Sequence, residues 1–351
     1  MKPTLRAVAE AVGVSRSTVS NAYSRPDQLS SKLRERILEA ARQMGYPGPD
    51  PTARSLRRGF VGAIGVLFTS RLSYAFTDPF AVRFVTGVAE AAERHDSSLL
   101  LVPLPPDAAG ARRAVENAAA DGFCVYCTGG EEGILDAIRR RGLPFVTTSS
   151  RPRADDRWVG IDERAAAHSV AAHLVDLGHR RVALLGHDVL PRAETGLLRV
   201  ADATDVPHPT TRERLAGFAD AFATAGVAWS GLTVLTAADN TRDAGAAATR
   251  ALARMPEPPT AVLAASDVLA LGALDALREQ GEWGPQVSVT GFDDIAEAAT
   301  AGLTTVRQPA EQKGRTAAEL LLDPPEDTRA GQILLPTTLV VRTTSGPVPR
   351  S

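Results

Sequence analysis

Apolar residues at Leu5, Val8, Ala9 and Val12 recur at i, i+3, i+4 and i+7, the spacing that gathers them on one face of a helix. Gly13 follows, a residue that takes positive φ without steric cost, and Ser15 is placed to cap a second helix over about Arg16–Ala22 that buries Val19 among polar neighbours. A third helix is expected to begin after Ser30 or Ser31, turn Leu33, Ile37, Leu38, Ala41 and Met44 inward, and stop at Gly45. Three short amphipathic helices make a small core of their own. Next comes "YPGPDP", whose prolines and glycine exclude helix and predict an extended linker. In "DPTARSLRRG" Asp50 caps, Pro51 takes the first helical position and Gly59 terminates, so a helix of about two turns is expected, too short to persist alone in water.

From Val61 the period changes. Apolar runs such as "VGAIGVLF", "SLLLVPL", "GFCVYC", "PFVTTS", "WVGI", "RVALLG", "LTVLTA", "AVLAAS" and "VSVTGF" alternate with Ala-rich amphipathic stretches, the pattern of parallel sheets with helices on both faces. So many strands exceed one open sheet of ordinary size. The expected fold is therefore an all-α helix-turn-helix head plus an α/β core of two doubly wound parallel-sheet lobes, with a ligand cleft at the carboxyl ends of the strands.

Charge sharpens the division. Up to Gly59 the chain carries eleven basic and five acidic side chains, a net of +6, which leaves −8 for the remainder. A basic head on an acidic body suits contact with a polyanion at one end. Hydrophobic residues make up 44% and charged residues 23%, as in globular proteins. "MKPTLRAVAE" has no apolar segment after its positive charge and no run of eighteen apolar residues follows, so neither export nor membrane insertion is expected, and the cytoplasm is the expected compartment. Cys124 and Cys127 form a C-x-x-C, but on a buried strand without a second pair or a following helix, so a structural reading is preferred to a redox or metal one. No Walker loop, G-x-S-x-G, G-x-G-x-x-G or H-E-x-x-H is present, so no catalytic residue, cofactor or metal ligand is assigned.

Ala9, Gly13 and Val19, with Val8, Val12 and Val14, have the spacing of a DNA-binding helix-turn-helix: a small residue at the helix contact, glycine at the turn, a branched residue beneath the second helix. The stretch "TLRAVAEAVGVSRSTVSNAYSRPDQLSSKLRERILEAARQMGY" followed by "DPTARSLRRG" resembles the lactose-repressor (LacI/GalR) family of bacterial transcription regulators. "RERLAGF", "ASDVLALGAL", "VSVTGFDDI" and "LTTVRQP" resemble that family's periplasmic-binding-protein-like core. The resemblance implies a DNA-binding domain at 1–49, a hinge helix at 50–60 and a ligand-binding and dimerisation core at 61–346. Within the core it implies one lobe at 61–160 plus 308–335 and another at 161–307 plus 336–346. It further implies a homodimer on double-stranded DNA with a pseudo-palindromic operator, and a small-molecule effector. "LVVRTTSGPVPRS" lacks apolar heptads, so no coiled-coil tetramer is expected.

At the family's base-reading positions stand Arg16, Ser17 and Asn21, side chains able to meet guanine and adenine edges. Thr4, Ser15, Thr18 and Ser30 lie near helix starts, where they can hold phosphates, cap helices, or do both. Leu56 stands where the family places a minor-groove wedge, the alternative being packing on the body, and Arg54, Arg57 and Arg58 flank it. "YPGPDP" is one residue longer than the family's usual linker, which bears on the spacing of the two groove contacts. Effector positions fall on Arg214, Ser266, Asp267 and Asp293, a set suited to a polyhydroxyl ligand such as a sugar; Asp267 could equally cap a helix. Phe76 and Phe80 could form an apolar wall or ordinary core. Asn240 replaces an aromatic found in some relatives, which disfavours a flat aromatic ligand, and residues 188–211 form a long insertion that reads as lid or disorder. The expectation is a sugar-responsive repressor rather than an enzyme. A solute-binding protein and a sugar-modifying enzyme are the alternatives.

Overall fold

The structure is a computed structural model that describes residues 3–48, 59–68, 71–126, 131–149, 156–187, 189, 195–198, 202–281, 284–327 and 331–348. It divides into two compact units, Met1–Gly62 and Ala63–Ser351.

In the first unit three helices, α1 (Leu5–Val12), α2 (Arg16–Ser24) and α3 (Ser31–Gln43), bury Val8, Ala9, Val19, Ala22, Ile37 and Ala41 against one another. Leu5, Val12, Leu33 and Met44 close the edges of this core, whereas Leu38 is half-buried at its flank. Each helix starts on a hydroxyl cap. Thr4 accepts from the Ala7 amide at 3.2 Å, Ser15 from Thr18 at 3.0 Å and Ser30 from Leu33 at 3.3 Å. Gly13, at φ 71°, ends α1 in the left-handed conformation, and the chain re-enters helix two residues after Val14 begins the turn. Val12 and Ala22 present helix-end carbonyls, which accept from Arg36 and Arg34 on α3 and tie the three helices together.

The second unit holds two sheets. The first contains β1 (Ala63–Phe68), β2 (Ser98–Pro103), β3 (Gly122–Tyr126), β4 (Phe145–Thr147), β5 (Arg157–Gly160) and β12 (Gln332–Leu334). Their order is β12-β5-β4-β3-β1-β2, every pairing parallel. The second contains β6 (Val182–His187), β7 (Gly196–Leu198), β8 (Thr233–Ala237), β9 (Ala261–Ala264), β10 (Ser288–Asp293), β11 (Thr304–Arg307) and β13 (Thr338–Val340). It runs β13-β11-β10-β9-β6-β8-β7, parallel inside with antiparallel edges at β13 and β7. Central strands are buried on both faces, β1 along its whole length, which is why they read as unbroken apolar runs. The chain passes between the sheets after β5, after β11 and again after β12.

Helices flank the sheets, among them α4 (Pro79–Arg94), α5 (Glu163–Asp176), α6 (Pro209–Thr224), α7 (Asp267–Arg278) and α8 (Ala310–Leu322). Helices α4 and α8 approach so closely that a Cβ on Gly87 would lie 1.9 Å from the Glu311 carbonyl oxygen, and one on Gly314 2.0 Å from that of Phe84. Of the 188–211 insertion, the described part contributes the edge strand β7 and a 3₁₀ turn at Ala203–Asp205.

Candidate functional site

Two surfaces bear on function. On α2, Val19 and Ala22 are fixed in the three-helix core, which turns Arg16 and Ser17 fully outward and leaves Asn21 half-exposed on the same outer face. The Asn21 amide donates to Gln28 Oε1 at 3.4 Å. At the start of α2, Ser15 Oγ lies 2.7 Å from both Ser17 Oγ and Thr18 Oγ1, so three hydroxyls cluster at a helix N-terminus. A hydroxyl that accepts from a backbone amide still has its own proton to give, so the caps Thr4, Ser15 and Ser30 remain able to donate to a phosphate. Arg54, Leu56 and Arg57 lie outside the described residues, as does the linker helix that would carry them.

In the second unit a cavity of about 110 Å³, room for several water molecules, opens where strands of both sheets end. Phe68, Tyr126, His187 and Asp293 are the last residues of β1, β3, β6 and β10, and Asn240, Ser266 and Gln308 stand just beyond β8, β9 and β11. Arg214, on α6, holds its guanidinium carbon over the Phe292 ring, 3.8 Å from the centroid. Its Nε donates to Glu163 Oε2 at 2.8 Å and its Nη1 to the Ala265 carbonyl at 2.5 Å, with Asp293 Oδ1 at 3.7 Å. Gln308 Nε2 donates to the same Asp293 oxygen at 2.5 Å. Burial pushes the Asp293 carboxyl well above its ordinary range, against the pull of the Arg214 guanidinium. Asp293 and Asp294 have φ of 121° and 55°, left-handed values rare for residues with side chains, at the point where β10 delivers its carboxylates.

The other wall is aromatic. Tyr126 packs on Phe68 at 5.0 Å and on Phe84 at 4.8 Å between ring centroids, with Phe80 at 6.4 Å. Asn240 spans from one wall to the other: Nδ2 donates to the Tyr74 hydroxyl at 3.2 Å and to Asp78 Oδ2 at 3.1 Å, while Oδ1 accepts from Ser266 Oγ at 2.6 Å. Burial raises the Asp78 carboxyl, opposed by amide donation from Ala81. Two lining atoms, Gln308 Oε1 and Thr210 Oγ1, are buried without a hydrogen-bond partner among the described residues.

Of the residues singled out from sequence, Phe80, Arg214, Asn240, Ser266 and Asp293 therefore meet around one cavity. Phe76 and Asp267 do not. Tyr74–Thr77 forms a single helical turn, so Tyr74 and Phe76 point apart; Tyr74 takes the wall and Phe76 is 65% exposed. Ser266 is the cap of α7, accepting from Leu269, and Asp267 beside it is buried against β11 and the segment that follows β10. There its oxygens accept from the Ile295 amide at 2.9 Å and Thr305 Oγ1 at 2.5 Å. Burial pushes this carboxyl up to about 6. Asp267 thus ties α7 to the ends of β10 and β11. Sequence reasoning passed over Tyr74, Asp78, Tyr126, His187, His208 and Gln308, although Tyr74 and Asp78 lie within "YAFTDPF", His187 immediately precedes the insertion and His208 lies near its end. Cys124 is fully buried and its thiol is pushed up to about 12 by burial, as a structural cysteine should be, while Cys127 lies outside the described residues. No cluster suited to a metal ion occurs, and no helix is long and apolar enough to cross a membrane, among the described residues.

A helix-turn-helix head on a two-sheet core with a polar cavity is the build of a DNA-binding regulator that responds to a small molecule. Comparison with known proteins agrees. Residues 4–48 match the lacI family of bacterial regulatory proteins and residues 171–345 the periplasmic binding protein-like domain. An HTH-type transcriptional regulator of Mycolicibacterium smegmatis is 40% identical over 99% of this chain and 97% of its own length. A crystal structure of a LacI-family transcriptional regulator from Corynebacterium glutamicum superposes with a TM-score of 0.74 at 34% identity, covering 98% of this chain and 99% of the other. A complex of the transcriptional regulator CelR with cellobiose superposes with a TM-score of 0.66 at 26% identity over 98% and 100%. The chain belongs to the lacI family of transcriptional regulators.

Proposed function

We propose that the protein is a repressor without enzymatic activity that acts in the cytoplasm, gripping a pseudo-palindromic operator as a homodimer and answering to a small sugar in the core cavity. The observation that carries this reading is the outward Arg16–Asn21 face of α2, held rigid because its opposite face, Val19 and Ala22, is sealed in the head core. Arg16, Ser17 and Asn21 read base edges, the hydroxyls of Thr4, Ser15, Thr18 and Ser30 fix register on phosphates, and Leu56 with Arg54 and Arg57 enters the minor groove. Arg214, Asn240, Ser266 and Asp293 hold the effector, supported by the aromatic wall and by the cellobiose bound in the CelR complex. Occupancy shifts the lobes and with them the population able to hold DNA.

The test is selection of bound fragments from genomic DNA, followed by anisotropy titration over a salt series. Wild type should bind selected sites with affinity falling steeply as salt rises. Arg16→Ala should lose about ten- to a hundredfold on the selected site while retaining non-specific binding. Leu56→Ala should weaken specific binding without altering ligand affinity. Equal affinity of Arg16→Ala and wild type for the selected site would overturn the assignment of α2 as the reading helix.

A further inference from the structure

Beside the inner cavity lies a larger outer chamber of about 510 Å³. Tyr74, Asp78, Asp239 and Asn240 line both spaces, and across that shared boundary Asn240 makes its three hydrogen bonds. Its orientation is fixed by chemistry. A carboxylate can only accept, so the amide NH₂ must face Asp78, and the amide oxygen is left to receive the Ser266 hydroxyl proton. The side chain is thus bolted at both ends and stands as a partition. Beyond it the outer chamber is amphipathic, with Val268, Leu271 and Ile295 beside Thr77, Arg242 and Glu297.

The inner cavity has a definite chemical preference. Gln308 Oε1 and Thr210 Oγ1 are buried and have no hydrogen-bond partner among the described residues, which suits a ligand that brings its own hydroxyl protons. Among the described residues the one guanidinium on the wall is Arg214, already engaged by Glu163, the Ala265 carbonyl and Asp293, while Asp78, Asp239 and Asp293 contribute carboxyl groups. An anionic ligand would meet that carboxyl-lined wall without an uncommitted arginine among the described residues to receive it. Tyr126 and Phe80 contribute aromatic carbon to the lining, a surface suited to the C–H side of a ring.

We infer that Asn240 is the size-determining residue of the effector site: it closes the inner cavity around a single neutral polyhydroxylated ring and excludes a second ring into the outer chamber. This rests on the reading of the cavity as a sugar site. Removing the partition joins the two spaces, so a variant should accept a two-ring ligand that wild type rejects.

The test uses the full chain, wild type, Asn240→Gly and Asn240→Ala, in thermal-shift and calorimetric titrations. The probes are aldohexoses, aldopentoses and cyclic polyols, the monophosphates of whichever bind, and disaccharides that contain the same ring, cellobiose among them. Cooperative melting of both variants is the check on folding, and the two variants open the partition to different degrees. Wild type should bind one or more single rings and lose at least about tenfold toward the phosphate and the disaccharide, and either variant should gain at least about tenfold toward the disaccharide. If wild type binds a disaccharide or a phosphate as tightly as the ring, or if folded variants gain nothing toward two rings, the partition role is overturned while the sugar reading stands. If no sugar of any size binds any of the three proteins, the sugar reading fails and takes the inference with it.

Discussion

Arg214 is the cation on which the core cavity turns, and its removal should be costly in a calculable way. Its side chain is only 9% exposed and it neutralises Glu163, itself 8% exposed, at 2.8 Å. In Arg214→Met the apolar stem can still lie on Phe292, but Glu163 and the Ala265 carbonyl are left buried without their donor. Breaking one side of such a pair costs about 3–5 kcal/mol, because the remaining charge keeps its desolvation penalty and loses its partner. For a unit of this size 1 kcal/mol moves the melting temperature by roughly 2–4 °C, so a fall on the order of 10 °C is expected by calorimetry. The control is Arg242→Met. Its partner is Asp275, its side chain is 52% exposed, and a surface pair is worth about 1 kcal/mol or less. Adding Glu163→Gln to Arg214→Met should recover part of the loss, since the stranded carboxylate is then gone. Melting of Arg214→Met within a degree or two of wild type, or a double variant no more stable than the single, would refute the view of Arg214 as the charge that makes this cavity tenable.

Three further outcomes follow from the geometry. Gly314→Ala forces a methyl group against the Phe84 carbonyl and should cost about 1–3 kcal/mol by chemical denaturation, whereas Gly133→Ala, with open space around it, should be tolerated. Asp267 holds its proton up to about pH 6 in the folded protein but only to about 3.8 when unfolded, so the folded state binds more protons in that window and wild type loses stability as pH rises through it. Asp267→Asn lacks that term. The stability difference between variant and wild type should therefore shift in the variant's favour, by on the order of 2 kcal/mol, between about pH 4 and pH 6. Finally, the Cys124 thiol, buried and pushed up to about 12, should resist iodoacetamide at pH 8 in the native protein and react promptly in guanidinium, as read by peptide mass spectrometry.

The parts of this molecule that could be read from sequence are those whose stabilisation is local. The head declares itself because Val8, Ala9, Val19 and Ile37 fall at helical spacing beside hydroxyl caps, and central strands such as β1 and β9 announce themselves as short apolar runs. Strands β7, β11, β12 and β13 did not stand out. They have three or four residues each, β11 is half threonine, and they exist because a neighbouring edge offers hydrogen bonds, which leaves little periodicity behind. The cavity follows the same division. Arg214, Ser266 and Asp293 sit in recognisable stretches, but Tyr126 and Gln308 acquire their place only when the ends of β3 and β11, far apart in the chain, are brought to one spot. Asp267 was ambiguous for a related reason: in "ASD" it stood equally for an effector contact and for a helix cap, and only the packing of α7 against Ile295 and Thr305 shows it turned inward, with Ser266 as the cap.

The interleaving of the two sheets has a consequence for biosynthesis. Strand β5 is made by residue 160, yet its outer neighbour β12 is encoded some 170 residues later. At translation speeds of about 5–20 residues per second, that flank of the nascent first lobe stays bare for roughly 10–30 s while the second lobe is being threaded out. Strands β12 and β13, made after every other strand among the described residues, thus complete both sheets, and a message cut short before codon 332 would yield two incomplete halves rather than one sound domain.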